Sequence, residues 1–313
     1  MYRLLVTGGA GFIGSHLCDA LLARGTRVRV LDDLSSGRRD NLPDGVELIL
    51  GDVADPAAVR AALEGMDGCF HLAAIASVQR AAEDWLGTNR VNLSGTIAVF
   101  DAARARRLPV VYASSAAVYG DCPIQPIGED APTRPLSAYG ADKLGCELHA
   151  AVATGVHGVP TLGLRFFNVF GPRQDPTSPY SGVISVFANS LRRGAPVSVF
   201  GDGGQTRDFI YVADVVAALL AAMERRQAGG AAADRAVVFN VCTGQATAVL
   251  DLARTIGELC GRTPELRRGP AREGDIRHSV GRAEAARAGL GFTAQTPLRA
   301  GLAQVLAWLA DRA

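Results

Sequence analysis

Lysine is almost missing from this chain. Of its 32 cationic side chains, 31 are arginine, and the one lysine is Lys143. Arginine fills every generic cationic role. A single position keeps an ammonium, whose chemistry a guanidinium that hardly ever releases its proton does not reproduce. An excess of charge of either sign is missing too: 32 basic residues face 31 acidic ones, a net +1. Nothing electrostatic recommends nucleic acid or an anionic membrane as a partner. Arg24, Arg27 and Arg29, like Arg104, Arg106 and Arg107, read as solvated helix ends rather than a binding stripe. No apolar run is long and clean enough to cross a bilayer; residues 212–223 carry Asp214 among them. The amino end enters a strand at once, without the charged and apolar segments of a secretion signal, so the expected location is the cytoplasm. None of the six cysteines forms a CxxC pair and no HExxH-like spacing occurs, so buried reduced thiols and no metal are expected. With 48% apolar and 20% charged residues, the chain is not disordered. It can pack the interior of one large domain or two close lobes.

The order of elements follows from the apolar pattern. Strands are expected at 3–7, 27–31, 46–50, 68–72, 109–113 and 161–165. Helices are expected at 13–24, 56–63, 86–106 and 139–154. Short, continuously apolar strands alternating with helices imply a doubly wound parallel α/β sheet of the Rossmann type, covered on both faces. After Asn168 the texture changes, with Gly, Pro and Ser in 171–182 and shorter elements beyond. A helix at 212–226, a surface linker at 228–234 and a strand at 237–241 follow. The expected organisation is a dinucleotide-binding lobe over 1–165 and a smaller mixed α/β substrate lobe over 166–313, with a soft boundary that leaves open a return of later segments to the first lobe.

The first turn reads Thr7-Gly8-Gly9-Ala10-Gly11-Phe12-Ile13-Gly14. It parses as GxxGxxG through Gly8, Gly11 and Gly14, or as GxGxxG through Gly9. Either way the chain must turn tightly out of a strand, let a pyrophosphate approach its backbone, and open a helix whose N-terminus favours the anion. A bare glycine pattern is weak; following the first strand and starting the first helix makes it specific. Phe12 and Ile13 begin that helix. Asp32 stands 18 residues after Gly14, where an acid bonds an adenosine ribose and repels a 2′-phosphate, favouring NAD over NADP. Asp33 is adjacent and competes for the role, and Arg38 and Arg39 could instead accommodate a phosphate. Ser36 lies in the same loop. Asp52 and Val53 follow the third strand, where an acid meets the adenine amino group or merely turns the chain. Leu72, Ala73 and Ala74 end the fourth strand with room for cofactor.

Tyr139 and Lys143 stand four apart on an expected helix and share a face. A free phenol, with a pKa near 10, is a poor base at neutral pH. A neighbouring ammonium stabilises phenolate, and the cationic nicotinamide ring adds to the effect. Ser114 and Ser115 end the fifth strand, at the edge where such sheets place reacting groups. Ser115 is the first choice for bonding the reacting oxygen, Ser114 the second.

These residues resemble the extended short-chain dehydrogenase/reductase family, the NAD-dependent epimerases and dehydratases, and within it the UDP-glucose 4-epimerases and their relatives. The matching motifs are Thr7 to Gly14, Leu31-Asp32-Asp33-Leu34, Gly51-Asp52-Val53, His71-Leu72-Ala73-Ala74, Ser114 to Gly120, Ser137 to Lys143, Arg165 to Gly171, Arg207 to Asp214 and Arg272 to Asp275. The resemblance implies that Ser115, Tyr139 and Lys143 carry catalysis. Tyr139 would take the proton of a sugar 4-hydroxyl while the 4-hydride passes to tightly held NAD. The keto sugar would then turn its other face, inverting C4 without net oxidation.

Asn168, Arg207 and Arg272 suit a nucleotide diphosphate, since guanidiniums match phosphate oxygens bidentately. Asp275 is expected at the uridine ribose, and the loop from Gln174 to Ile184 over the UDP-sugar. Relatives that dehydrate carry an Asp-Glu pair after the serine, and decarboxylases a Glu. Ala116-Ala117 cannot transfer protons, which favours simple epimerisation. Ala76 stands where some epimerases have a lysine against the cofactor phosphates. Ser279 falls at the position that gates substrate size, and a small residue there admits a 2-acetamido group. The alternatives are another NAD-dependent nucleotide-sugar enzyme, such as a UDP-glucuronate 4-epimerase or a dehydratase, and a non-catalytic NAD-binding sensor. By analogy the chain forms a homodimer through the helices at 86–106 and 139–154.

Overall fold

The computed structural model describes residues 2–175, 182–229, 235–270 and 276–311. The chain opens as β1 (Arg3–Thr7), α1 (Phe12–Ala23), β2 (Arg27–Asp32), β3 (Glu47–Leu50), α2 (Pro56–Leu63), β4 (Gly68–His71), α3 (Val78–Glu83), α4 (Trp85–Asn89), α5 (Gly95–Arg104) and β5 (Val110–Ser115). It continues as α6 (Ala138–Gly155), β6 (Thr161–Phe166), β7 (Asn168–Phe170), α7 (Val183–Arg192), β8 (Val197–Phe200), β9 (Thr206–Arg207), β10 (Phe209–Tyr211) and α8 (Val212–Gln227). The remainder is β11 (Val237–Val241), β12 (Thr247–Ala248), α9 (Val249–Leu259), β13 (Leu266–Gly269), β14 (His278–Ser279), α10 (Glu284–Leu290) and α11 (Leu298–Ala310).

Seven parallel strands form one sheet in the order β11-β6-β5-β4-β1-β2-β3. The order runs outward in both directions from β1 and β4, so the crossovers cover both faces, as the alternating pattern implies. One face packs Leu17, Cys18 and Leu21 of α1 and Val215, Leu219 and Met223 of α8 on the sheet. The other packs Val59 and Ala62 of α2, Val99 and Phe100 of α5, and Cys146 and Ala150 of α6. Each large side chain buried this way contributes about 1.5–3 kcal/mol. β11 reaches the sheet edge from late in the chain, pairing Phe239 with Leu164 and Val241 with Phe166. The smaller elements have their own core, where Phe187, Leu191, Leu252, Ile256, Leu302 and Val305 meet between α7, α9 and α11.

Two details depart from the sequence pattern. The helix expected over 86–106 is broken by a π-helical turn at Arg90–Ser94 between α4 and α5. That turn lets Asn92 enter the interior and pair its amide with both backbone groups of Ile75, at 2.8 and 3.3 Å. A bulge of this kind is sustained by such a local compensation. Arg29, read with its neighbours as a solvated helix end, belongs to β2. It pairs with Glu47 at 2.9 Å and donates to the carbonyls of Ala62 and Glu64, with only 17% of its side chain exposed. Among the described residues no helix is long and apolar enough to cross a membrane, and no cluster of metal-ligating side chains occurs. The six cysteines are free, five of them buried.

Candidate active site

The carboxyl ends of the parallel strands gather most of the candidate residues on one rim. At the end of β1 the chain turns through Gly8, whose φ of +70° lies in the left-handed region that glycine adopts freely. Gly11 donates its N–H to the Gly8 carbonyl at 3.2 Å and caps α1. Gly14 sits so close beneath that a β-carbon on it would lie 2.2 Å from the Gly8 oxygen. The first turn of α1 contains no acidic residue, so its free N–H groups and positive end are available to an anion. Phe12 and Ile13 are half-buried there. This glycine cradle fits a pyrophosphate.

The neighbouring strand ends complete the cradle. Asp32 closes β2 and is buried; its two oxygens accept from the amides of Ala10 and Leu34, each at 2.9 Å. Burial pushes its pKa up, with those two amides pulling the other way. It thereby ties the glycine turn to β2. Asp33 is exposed and accepts from Ser35, through its amide and its hydroxyl, and Ser36 is exposed beside it. Asp52 accepts from the Ala54 amide at 2.8 Å and pairs with Arg90, while Val53 is buried. Leu72, Ala73 and Ala74 are half-buried after β4.

Beneath Ala73 runs a chain of hydrogen bonds whose polarity is determined by its ends. The Thr7 hydroxyl accepts from the amides of Leu72 and Ala73, both at 3.2 Å, so its own proton goes to His71 Nδ1 at 2.8 Å. His71 Nε2 then carries the ring proton and donates to Thr96 at 2.9 Å, which donates to the Asn92 carbonyl at 2.6 Å. Burial, with the Lys143 charge second, lowers the His71 pKa from 6.5 to about 3. Below pH 6.5 the unfolded chain therefore binds a proton that the folded one refuses. This single site should remove stability on the order of 1 kcal/mol per pH unit as pH falls from 6.5 toward 3, and nothing above 6.5. Denaturant midpoints at pH 7.5 and 5.5 check this. His71→Gln should show a shallower loss than the parent, and equal losses would refute the assignment.

At the end of β5 the two serines diverge. Ser114 is buried and donates to Glu147 of α6 at 2.5 Å. Ser115 is half-buried and accepts from the Ala117 amide at 3.1 Å, capping the 3-10 turn Ala116–Tyr119. That turn touches the start of α6. Gly140 packs so tightly on it that an added β-carbon would lie 2.6 Å from the Ala117 carbonyl. Ser137 caps α6 by accepting from the Gly140 amide at 3.1 Å. Tyr139 is half-buried in this first turn. Lys143, one turn on, is buried; its ammonium donates to the Ala113 carbonyl at 3.0 Å and lies 5.9 Å from the centre of the Tyr139 ring. Asp142 turns aside to Asn89 of α4 at 2.6 Å.

On the smaller lobe, Asn168 is exposed at the start of β7, its amide held by the Asp208 carbonyl at 2.9 Å. Arg207 on β9 and Ser279 on β14 are register partners on adjacent parallel strands, both half-buried. Next to Arg207, Asp208 is fully buried, accepting from Thr243, Gly244 and Gly281. Gln174 accepts from Ser185 at 2.7 Å, which ties it to α7. Arg272, Asp275 and much of the loop after Gln174 lie outside the described residues. The sequence pattern assigns no role to Asn92 or Glu147, and none to Thr7 or Arg165 beyond opening two of the matching motifs. The signal was there in polar residues set inside otherwise apolar elements, as Arg165 is within the fully buried β6.

Known proteins match the chain over nearly its whole length. The model of the NAD dependent epimerase/dehydratase family matches residues 4–242. The UDP-glucose 4-epimerase of Mycolicibacterium smegmatis is 38% identical over 99% of both chains. The crystal structure of the Thermotoga maritima UDP-glucose 4-epimerase with UDP-glucose superposes with a TM-score of 0.94 at 33% identity, covering 99% of each chain. The UDP-N-acetylglucosamine 4-epimerase of Methanobrevibacter ruminantium M1, in complex with UDP-N-acetylmuramic acid, superposes with a TM-score of 0.93 at 33% identity, covering 100% of this chain and 99% of that one. With the glycine turn, the strand-end serine and the Tyr-Lys helix in place over its whole length, the chain belongs to the NAD dependent epimerase/dehydratase family.

Proposed function

We propose that this chain is a UDP-hexose 4-epimerase that interconverts UDP-glucose and UDP-galactose with a resident NAD, and that it also takes the 2-acetamido sugars. The observation that carries the reading is the placement of Tyr139 and Lys143 on the first turns of α6, packed through Gly140 on the turn that begins at Ser115. Gly8, Gly11, Gly14, Phe12 and Ile13 would hold the pyrophosphate, Asp32 rather than Asp33 the adenosine ribose, and Ser36, Asp52, Val53, Leu72, Ala73 and Ala74 the adenine side and the floor of the cleft. Bound NAD supplies the acceptor and donor of the C4 hydride. The protein's own part is proton handling. As C4 is oxidised, the O4 proton passes to the Tyr139 oxygen, and as C4 is reduced from the opposite face the same oxygen returns it. Ser115 bonds O4 throughout. The Lys143 ammonium, fixed by the Ala113 carbonyl at 3.0 Å, stands 5.9 Å from the centre of the Tyr139 ring and places a positive charge on the reacting side of α6. Ala116 and Ala117 offer no proton, so the keto sugar is neither dehydrated nor decarboxylated here. Asn168, Arg207 and Arg272 would hold the diphosphate, Asp275 the uridine ribose, and Gln174 the covering loop.

The test is incubation of the purified protein with UDP-sugars and no added cofactor, with products read by NMR. C4 epimers of UDP-glucose and UDP-N-acetylglucosamine are expected at comparable rates. A keto, deoxy or decarboxylated product, turnover of UDP-glucuronate alone, or no turnover at all would overturn the reading. The acetamido part rests on Ser279, and Ser279→Tyr should abolish turnover of the acetamido sugar while sparing UDP-glucose.

Two further parts of the reading have structural support. Trp85 and Leu86 at α4 are 67% and 82% exposed, and Leu148 and Val156 on and after α6 are 63% and 72% exposed. An apolar face of this kind supports a homodimer through these helices, and light scattering should give twice the 32.6 kDa chain mass. The free, largely buried cysteines support work in a reducing compartment such as the cytoplasm. A division into a dinucleotide lobe and a substrate lobe near residue 165 remains part of the proposal, with α8 and β11, which pack on and pair with the large sheet, returned to the first.

A further inference from the structure

Tyr139, Lys143 and Glu147 recur every four residues on α6, and so lie on one face of the helix. The last two each bond the strand beside the helix. Lys143 bonds the Ala113 carbonyl at 3.0 Å, and Glu147 takes the Ser114 hydroxyl at 2.5 Å. Ala113 and Ser114 are the two residues that lead into Ser115. Glu147 is itself held by Arg165 of β6 through two parallel bonds of 2.9 and 2.7 Å, both side chains being under one-tenth exposed. The same guanidinium continues to the Tyr119 hydroxyl at 2.7 Å, and Tyr119 donates to Asn240 of β11 at 2.7 Å. Tyr119 closes the 3-10 turn that Ser115 opens. The residue before Ser115 and the turn after it are therefore tied to one buried ion pair, which also grips the helix carrying Tyr139.

A buried ion pair is poor evidence for stability, because an apolar replacement of similar volume often does as well. Its value here is geometric. Lone pairs on the carboxylate and N–H groups on the guanidinium lead to different elements of the reacting site. A misplacement of about one ångström between reacting groups can cost on the order of 10²-fold in rate.

We propose that Glu147 and Arg165, acting through Ser114 and Tyr119, are positioning residues that set Ser115 against Tyr139. The proposal rests on the assignment of those two residues to catalysis. Removing either charge would leave the other buried and unpaired, and the protein could simply fail to fold. The test therefore uses Ser114→Ala, which cuts the link to the strand and leaves the ion pair whole, and Tyr119→Phe, which cuts the link to the turn. For each, kcat and KM for UDP-glucose and the NAD bound per chain are measured, with Tyr139→Phe assayed alongside. Each variant should lose about tenfold in kcat, with KM and bound NAD within twofold of the parent. The double variant should fall by less than the product of the two, because both links act on one serine. Parent-level kcat in either single variant, or a loss of kcat accompanied by a raised KM and lost NAD, would overturn the proposal while an inactive Tyr139→Phe leaves the catalytic assignment standing. Full activity of Tyr139→Phe would overturn both.

Discussion

Tyr139→Phe should cut turnover of UDP-glucose by roughly 10²–10⁴-fold, the range a single positioned proton-transfer group contributes, while the protein still purifies with NAD. The substitution removes one oxygen and leaves the ring in its half-buried place on the first turn of α6. Gly140 keeps its contact with the Ala117 carbonyl, and Lys143 keeps its bond to the Ala113 carbonyl, because neither uses the phenol. The glycine turn and Asp32 belong to other strand ends and are untouched. What disappears is the only group assigned to hold the O4 proton. Rates from product NMR and NAD released on denaturation separate the two properties. Loss of both together would mean that the ring, not its oxygen, matters, and an undiminished rate would remove the phenol from the mechanism.

The sequence discloses the rim of the site better than its support. Glycines at the end of a first strand, an acid at the end of the second and a Tyr-Lys pair four apart are local patterns, and local patterns survive the loss of the third dimension. The choice between adjacent residues does not. Nothing in the order of letters separates Asp32 from Asp33; the structure does so by turning one to the Ala10 amide and the other to Ser35 in solvent. Ser114 and Ser115 are separated in the same way, because alternate residues of a strand face opposite sides of the sheet and only one meets Glu147. The π-helical turn at Arg90–Ser94 leaves no periodic trace, since a bulge of one residue shifts the pattern by less than a turn. Its cause lies 17 residues away, in the amide-to-backbone pairing of Asn92 with Ile75. The late strand β11 reads correctly as a strand, but its partner Thr161–Phe166 lies some 70 residues earlier in the chain, and pairing over such a span is fixed by topology rather than by composition.

Gly14→Ala is the prediction with the other large effect, and it tests the cofactor site without touching a reacting group. Its β-carbon would fall 2.2 Å from the Gly8 oxygen and 2.8 Å from the Gly9 α-carbon, both backbone atoms that cannot swing aside. About an ångström of separation must open between the glycine turn and α1. That helix is anchored by Leu17, Cys18 and Leu21 in the core against α8. It cannot retreat freely, and forced overpacking of this kind costs about 1–3 kcal/mol. The opening falls where the free N–H groups of α1 would meet a pyrophosphate, so the anion loses its close backbone partners together with the positive helix end. The variant should fold, purify without NAD and show no turnover until NAD is added in excess. Its melting point should drop further than overpacking alone explains, since a ligand at 100 times its Kd adds about 2.7 kcal/mol to the folded state. Gly155→Ala at the far end of α6 is the control, because nothing stands within 4 Å of an added β-carbon there; it should keep both cofactor and activity. A Gly14→Ala protein that retains a full complement of NAD would show that the dinucleotide does not depend on this turn. Every assignment made from the amino end would then fall with it.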